Sequence, residues 1–170
     1  MKQNKGITVL ELLMVLALSA TVTAMAIPAF VTWQMNGKEM ACTQQLLSAL
    51  QLARHYAANQ RTPTSICSGQ STCDSQRDWQ GSVVVFSDFN LNGRLDPGEQ
   101  LLYSHRLPEG SMWRWSSFRQ TAHLSFKPDG TTHATNGTLT LCLGNKPSQQ
   151  IVLSATGRPR LQHPLPNARC

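Results

Sequence analysis

Residues 6–30 read GITVLELLMVLALSATVTAMAIPAF, and the apolar run after the glycine provides the ~20 residues that a helix needs to cross a bilayer. Glu11 is the only full charge in this run. A carboxylate there costs about 2.5–3.5 kcal/mol on insertion scales, so it requires a function or a partner. Before the run, Lys2 and Lys5 favour a cytoplasmic amino terminus under the positive-inside rule. The sequence therefore predicts one membrane pass, with Lys38 onward on the far side.

Two simpler interpretations explain less of this segment. A secretory signal has a short apolar stretch followed by a small-residue cleavage site. Here Gly6 precedes the apolar stretch, which continues past the point where a signal peptidase would cut. A plain amino-terminal anchor fits the length of the run but gives no reason for Glu11.

The segment closely resembles that of a type IV prepilin. It has a short basic leader, Gly6, an apolar Ile7, Glu11 as the fifth residue after the cut, and Pro28 later in the helix. The resemblance implies that a prepilin peptidase cleaves between Gly6 and Ile7 and that the new amino terminus is methylated. It also implies that Glu11 compensates the amino-terminal charge, of its own or a neighbouring pilin subunit, when subunits leave the inner membrane and stack into a filament. This role agrees with physical expectation, since a buried carboxylate is tolerable when it is paired.

Apolar residues continue at helical spacing beyond the membrane segment, through Leu46, Leu50, Ala53 and Ala57. From residue 62 onward, β-rich runs alternate with turn signals. About 130 residues follow the membrane segment, enough for one globular domain. We therefore predict an α+β, type IV pilin-like fold, in which a long amino-terminal transmembrane helix packs on an antiparallel β-domain. The predicted parts are a leader (1–6), a helix (7–60, with 7–30 in the membrane) and a periplasmic β-domain (61–170).

Five cysteines lie on the translocated side, where disulfides are favoured over thiol chemistry. Cys67 and Cys73 bracket a short polar loop and pair easily. Cys142 and Cys170 would then tie the carboxyl-terminal tail to a strand and leave Cys42 odd on the helix. An odd cysteine can instead bridge two chains. No two cysteines have the C-x-x-C spacing of a zinc site, and we expect neither a metal nor a cofactor.

Residues 88–99 read DFNLNGRLDPGE and match the twelve-residue spacing of a calcium loop. Oxygen-bearing side chains occupy the first, third, fifth and ninth positions, glycine the sixth and glutamate the last. However, strands rather than helices are predicted on both sides, two ligands would be asparagines, and Arg94 and Pro97 suit a cation loop poorly. A hairpin connection is the preferred interpretation, and calcium binding is the alternative.

Positive charge is concentrated towards the carboxyl terminus. Residues 106–170 contain eight Lys/Arg and two Asp/Glu, whereas residues 39–105 contain four Lys/Arg and six Asp/Glu. This asymmetry indicates either a polyanionic partner or a basic surface that serves only solubility.

The order of features in the β-domain is similar to that of the GspH/FimT group of minor pilins. A cysteine pair is followed by Asp78-Trp79-Gln80-Gly81, then by the loop 88–99, and the stretch 151–160 closes the pattern. Within it, Gly157-Arg158-Pro159-Arg160 matches the G-R-x-R motif of FimT proteins, which bind DNA at type IV pili during natural transformation. The resemblance covers nearly the whole chain and implies DNA as a partner.

An extended R-x-R segment would place the guanidinium groups of Arg158 and Arg160 on one face, spaced for successive phosphates. Arginine suits phosphate because its planar fork makes bidentate, charge-assisted hydrogen bonds. No aromatic residue follows the motif, so we expect contacts to the DNA phosphate backbone without sequence preference. Two arginines alone seldom give usable affinity at physiological salt. The predicted DNA-binding residues are Gly157, Arg158, Arg160, Lys146, Arg169, Arg119 and Lys127.

The sequence contains no recognisable catalytic motif. Its histidines are scattered without metal-ligand spacing, no serine sits in a nucleophile elbow, and no glycine-rich phosphate loop occurs. Trp79, Trp113 and Trp115 are expected to pack in the core, with Trp113 and Trp115 on one face of a strand. A stacking role for these rings beside Arg114 and Arg119 is the alternative. We predict a substrate of processing enzymes that is not itself an enzyme.

Two functions follow from these observations. The leading one is a DNA-binding minor pilin that resides in the bacterial inner membrane, with its carboxyl-terminal domain in the periplasm, and then in the pilus. The other is a structural minor pilin or pseudopilin that primes a pilus tip or a type II secretion pseudopilus, with its basic face against acidic neighbouring subunits.

Overall fold

The structure is a computed structural model that describes residues 8–70 and 72–170. The predicted processing site at Gly6 and Ile7 lies outside the described residues. Within those ranges the chain forms one long helix and nine strands. They are α1 (Val9–Gln60), β1 (Thr64–Ser68), β2 (Asp78–Trp79), β3 (Ser82–Ser87), β4 (Leu101–Arg106), β5 (Ser111–Ser117), β6 (Leu124–Phe126), β7 (Gly137–Leu143), β8 (Lys146–Leu153) and β9 (Pro159–Gln162).

Contacts divide the chain into two units, one ending at Lys38 and the other formed by Glu39–Cys170. In the first unit, every described residue up to Gly37 is exposed. Thr8 caps the start of α1, where its hydroxyl accepts a hydrogen bond from the Glu11 amide at 3.3 Å. By length and composition, α1 is able to cross a membrane.

In the second unit, α1 buries one stripe of side chains against the sheets. Leu46, Leu50, Ala53 and Ala57 are all buried, as their helical spacing predicts. They belong to a single core that also contains side chains of β1, β2, β3, β5, β6, β7 and β8. Cys42 lies in the same core and is fully buried, so a bridge from it to another chain would require the core to open.

The strands form two antiparallel sheets. Sheet 1 has the strand order β4-β3-β1-β6, and sheet 2 has the order β2-β5-β7-β8-β9. The predicted α+β fold, one long apolar amino-terminal helix packed on antiparallel sheets, is confirmed.

Side chains alternate across sheet 2 and define its two faces. Trp113 and Trp115 of β5 point into the core and, together with Trp79 of β2, are at most 1 % exposed. The packing interpretation of these tryptophans is therefore confirmed, and a ring buried this deeply offers no stacking surface. The opposite, outer face carries Arg114, which lies in register with Thr140 of β7.

Disulfides join Cys67 to Cys73 and Cys142 to Cys170, the two pairs expected from the sequence. The second bond holds the carboxyl-terminal tail to β7. The tail is also fixed by Gln150 of β8, whose side-chain oxygen accepts hydrogen bonds from the Gln162 side chain at 3.0 Å and the Leu165 amide at 3.2 Å. The segment that contains residues 157–160 is thus closed into a loop anchored at both ends.

The loop 88–99 connects β3 to β4, and its side chains bind its own backbone. The Asp88 carboxylate accepts hydrogen bonds from the amides of Asn92 at 3.0 Å and Gly93 at 2.9 Å. The Glu99 carboxylate accepts hydrogen bonds from the amides of Phe89 and Asp96, both at 2.8 Å. These contacts are those of a stable hairpin connection.

Candidate nucleic-acid interface

The arginine motif begins in the tight turn between β8 and β9. The Gly157 amide donates to the Ser154 carbonyl at 2.9 Å, and the Ser154 amide donates to the Arg158 carbonyl at 3.2 Å. Gly157 has φ +76°, and a Cβ there would lie 2.2 Å from the carbonyl oxygen of Gly130. Gly157 is therefore a buried positioning residue that lets two turns touch, and it offers no surface to a ligand.

Arg158 and Arg160 are both exposed, and one residue, Pro159, separates them in the chain. Arg160 lies in β9 directly opposite Val152 of β8, on the outer face of sheet 2. Arg158 immediately precedes β9, and β9 is the edge strand of the sheet. Neither arginine forms an ion pair with any residue in the described ranges. Two unpaired guanidinium groups are thus presented from an anchored turn and strand.

Arg54 of α1 reaches the same place, which sequence reasoning did not predict. Its Nε donates to the Gly130 carbonyl at 3.0 Å, the oxygen that also faces Gly157. Arg54 and Arg158 line one groove between α1 and the turns at Gly130 and Gly157. The contact joins residues 76 positions apart, so no local pattern in the sequence reveals it.

Asp129 brings a negative charge into this groove. Its Oδ1 accepts hydrogen bonds from the Thr131 amide at 2.9 Å and the Thr131 hydroxyl at 2.6 Å. These bonds, from the hydroxyl first and then the amide, together with nearby Lys127, hold the pKa of Asp129 below its usual 3.8. Lys127 lies 3.8 Å from the carboxylate, so part of its charge is already compensated.

Arg119 lies at the same end of sheet 2 as Arg158. The last residue of β5, Ser117, is in register with Gly137, Leu153 and Pro159 across β7, β8 and β9. Arg119 follows that row by two residues, and it is exposed. The structure therefore brings Arg119, one of the predicted DNA-binding residues, to the end of the sheet that carries the arginine motif.

Lys146 and Arg169 lie elsewhere. Lys146 begins β8, six residues before the partner of Arg160, which corresponds to roughly 20 Å along a strand. Arg169 adjoins Cys170, which is bonded to Cys142 near the Lys146 end of β8. These two cations are exposed, but the structure does not bring them to Arg158 and Arg160.

Arg114 is on the outer face but is already neutralised. Its Nε and one terminal nitrogen each donate to the Asp78 carboxylate at 2.8 Å, a bidentate pair. The hydrogen bond from Arg114 lowers the pKa of Asp78, so the carboxylate stays charged at neutral pH. Arg114 therefore serves as an internal comparison: an arginine on the same sheet face whose charge is compensated.

Comparison with known proteins places the chain in a family. The family model described as type II transport protein GspH matches residues 43–157, more than half of the chain. A crystal structure of the type IV minor pilin FimU of Pseudomonas aeruginosa strain PAO1, in space group P21, matches with a TM-score of 0.57 and 22 % identity, covering 72 % of this chain and 87 % of that chain. A second FimU structure, in space group P65, matches with a TM-score of 0.54 and 23 % identity over 72 % and 91 % of the two chains. No curated protein sequence matches significantly.

At 22–23 % identity, the likeness to FimU shows only a shared fold. The assignment of the chain to a family rests on the match to the GspH family model. The matched region runs from Thr43 in α1 to Gly157, so Arg158 and Arg160 lie just beyond it. The apolar first part of α1 fits the inner-membrane anchor of such proteins, which assemble with other pilin subunits. The chain therefore belongs to the GspH family, as a GspH/FimT-like minor type IV pilin or pseudopilin.

Proposed function

We propose that this minor pilin binds DNA through Arg158 and Arg160 and serves DNA uptake during natural transformation. The observation that carries the proposal is the presentation of two unpaired, exposed arginines on the anchored β8–β9 turn and edge strand. It is a binding and structural subunit rather than an enzyme. Bound DNA would be drawn towards the cell when the pilus retracts.

Electrostatics supports a phosphate contact at this end of sheet 2. Arg54 lines the groove with Arg158, and Asp129 is the one carboxylate among the described residues that line it. Arg119 adds positive charge at the same end of sheet 2, three strands away. A cluster of three or four guanidinium groups suits the DNA backbone, because each phosphate contact releases condensed counterions. Such contacts carry no base information, so we propose binding without sequence preference.

The proposal is tested by titrating the detergent-solubilised chain into labelled DNA duplexes of unrelated sequence. Fluorescence anisotropy measures binding at several salt concentrations. We expect similar Kd values for all sequences and a linear fall of log affinity with log salt. Absence of binding at low salt would leave the structural function described next.

A structural role in a pilus tip or type II secretion pseudopilus is the second candidate. The match to a family described as type II transport protein favours it, because that match ends at Gly157 and so does not depend on the two arginines. In this role the basic end of sheet 2 would contact acidic neighbouring subunits. Filament assembly by a chain lacking both arginines, with DNA uptake abolished, would separate the two functions.

Membrane processing is part of the same proposal. We propose a single-pass inner-membrane precursor whose carboxyl-terminal domain is periplasmic, cut by a prepilin peptidase between Gly6 and Ile7, with Glu11 then pairing to an amino-terminal charge in the filament. Mass spectrometry of the mature chain should find a methylated amino terminus at Ile7. Any other amino terminus would contradict the prepilin assignment.

Removing the charge of Asp129 should strengthen DNA binding. In Asp129→Asn the side-chain oxygen can still accept the two Thr131 hydrogen bonds, so the turn is kept while the repulsion of phosphate disappears. Because the pKa of Asp129 lies below its usual value, the native carboxylate is charged at pH 7. At that pH the side chain of residue 129 therefore has a charge of −1 in the native chain and 0 in the variant. We expect Kd to fall roughly two- to fivefold, the scale of a surface charge pair. Unchanged or weaker affinity in a folded variant would remove Asp129 from the DNA site.

A further inference from the structure

The most exposed ring of the domain, that of Phe118, lies beside Arg119 at the end of sheet 2 that carries the arginine motif. Phe118 is 87 % exposed, the highest value for any large apolar side chain in the described ranges. It directly precedes Arg119, and its other chain neighbours, Ser117 and Gln120, are polar. These chain neighbours add no apolar surface to the ring that would extend it into a larger patch.

Strand register places Phe118 on the same edge as the arginine motif. Ser117, Gly137, Leu153 and Pro159 form one row across β5, β7, β8 and β9. Phe118 comes one residue after this row, and Arg158 comes one residue before it. Three strand spacings separate them, roughly 14 Å.

The loop that carries Phe118 is held by hydrogen bonds. The Phe118 amide donates to the Asn136 carbonyl at 3.3 Å, and the Gln120 amide donates to the Ser117 carbonyl at 3.1 Å. The Thr121 hydroxyl donates to the His123 carbonyl at 2.8 Å. The ring is thus presented from an ordered turn, which lowers the entropic cost when a flat ligand stacks on it.

The charge around this edge favours a polyanionic partner over a basic or apolar one, and Asp129 is the carboxylate that lies in the groove beside Arg158. The segments 117–123 and 154–160 contain three arginines and no Asp or Glu. Burial lowers the pKa of His123, so this histidine adds no positive charge at neutral pH. The edge therefore combines guanidinium groups for phosphates with one exposed aromatic face, the two components of single-strand binding sites.

We propose that Phe118 stacks on a base of single-stranded DNA whose phosphates contact Arg119, Arg158 and Arg160. The inference rests on the proposed function, since it requires the motif arginines to bind DNA, and it adds the class of DNA that the site prefers. In a duplex, each base is already stacked between its neighbours, so the ring gains a partner only where bases are free. The arginines serve both forms of DNA, whereas Phe118 serves the single strand.

The test compares detergent-solubilised full-length variants, using a labelled single strand of about twelve nucleotides and the matching duplex. Phe118→Ala should weaken single-strand binding roughly 5- to 100-fold and leave duplex affinity unchanged, because base–aromatic stacking contributes on this scale. Phe118→Tyr should restore the affinity and Phe118→Leu should not. A 2-aminopurine base placed along the strand should lose fluorescence on binding to the native chain but not to Phe118→Ala.

Arg158→Gln with Arg160→Gln separates this inference from the proposed function. Loss of single-strand and duplex binding in that double variant, with wild-type behaviour in Phe118→Ala, would overturn the stacking role and leave the arginine site intact. An equal loss of both DNA forms in Phe118→Ala would also overturn it. If Phe118→Ala impairs filament assembly while DNA binding is unchanged, the ring belongs to a subunit contact and the inference is wrong.

Discussion

Changing Gly157 to alanine is expected to destabilise the domain by roughly 2–5 kcal/mol and to weaken DNA binding although no charge is altered. The left-handed backbone conformation at φ +76° costs a residue with a Cβ about 1–2 kcal/mol. The rest comes from the clash, since the new Cβ would lie 2.2 Å from the Gly130 carbonyl, and overpacking typically costs about 1–3 kcal/mol. Separation of the two turns would displace Arg158 from Arg54. Urea denaturation and anisotropy measure the two effects.

Gly144→Ala is the matched control. Gly144 also has a left-handed backbone, φ +63°, in the β7–β8 turn, but a Cβ there meets nothing within 4 Å. We expect it to show only the conformational part of the destabilisation, about 1–2 kcal/mol, and to bind DNA as the native chain does. Equal destabilisation by the two substitutions would show that the contact between Gly157 and Gly130 contributes nothing.

Changing both Arg158 and Arg160 to glutamine is expected to weaken DNA binding roughly 10- to 100-fold, because each charge-assisted hydrogen bond to phosphate contributes on the order of 1 kcal/mol. The loss should be similar for unrelated sequences. Both side chains are exposed and lack ion-pair partners in the described part of the chain, so the fold should be unaffected. Circular dichroism and thermal melting check that point.

Arg114→Gln is the control for charge alone. It removes a positive charge from the same sheet face, where Arg114 is bound to Asp78 through two bonds of 2.8 Å. DNA affinity should change little, since the native pair has no net charge to offer a phosphate and the Asp78 carboxylate left unpaired in the variant lies on β2, at the opposite edge of the sheet from β9. A loss as large as that of the double variant would indicate a general charge effect instead of a site.

Local patterns in the sequence encode the features that were predicted correctly. The apolar run, the helical spacing of Leu46, Leu50, Ala53 and Ala57, and the alternation at Trp113 and Trp115 all reflect periodicities of single elements. They were sufficient for the helix, the α+β class and the burial of the tryptophans.

The site depends on contacts that no local pattern records. The bond from Arg54 to Gly130 and the close approach of Gly157 to Gly130 connect an α-helix with two distant turns. Strand register decides which of the predicted DNA-binding cations lie at the same end of sheet 2 as the arginine motif. Arg119 lies at that end and Lys146 does not, although both side chains are exposed. A count of charges along the chain includes Arg114 and Arg158 alike, because it cannot show that Asp78 compensates the charge of Arg114.

The salt dependence of duplex binding tests the DNA-binding claim most directly. Log affinity is plotted against log salt concentration for the native chain, for Arg114→Gln and for the Arg158→Gln, Arg160→Gln double variant. The account predicts equal slopes for the first two and a slope about two units shallower for the double variant, one unit for each phosphate that an arginine no longer neutralises. A folded double variant with native affinity and native slope would contradict it and leave this protein a structural minor pilin.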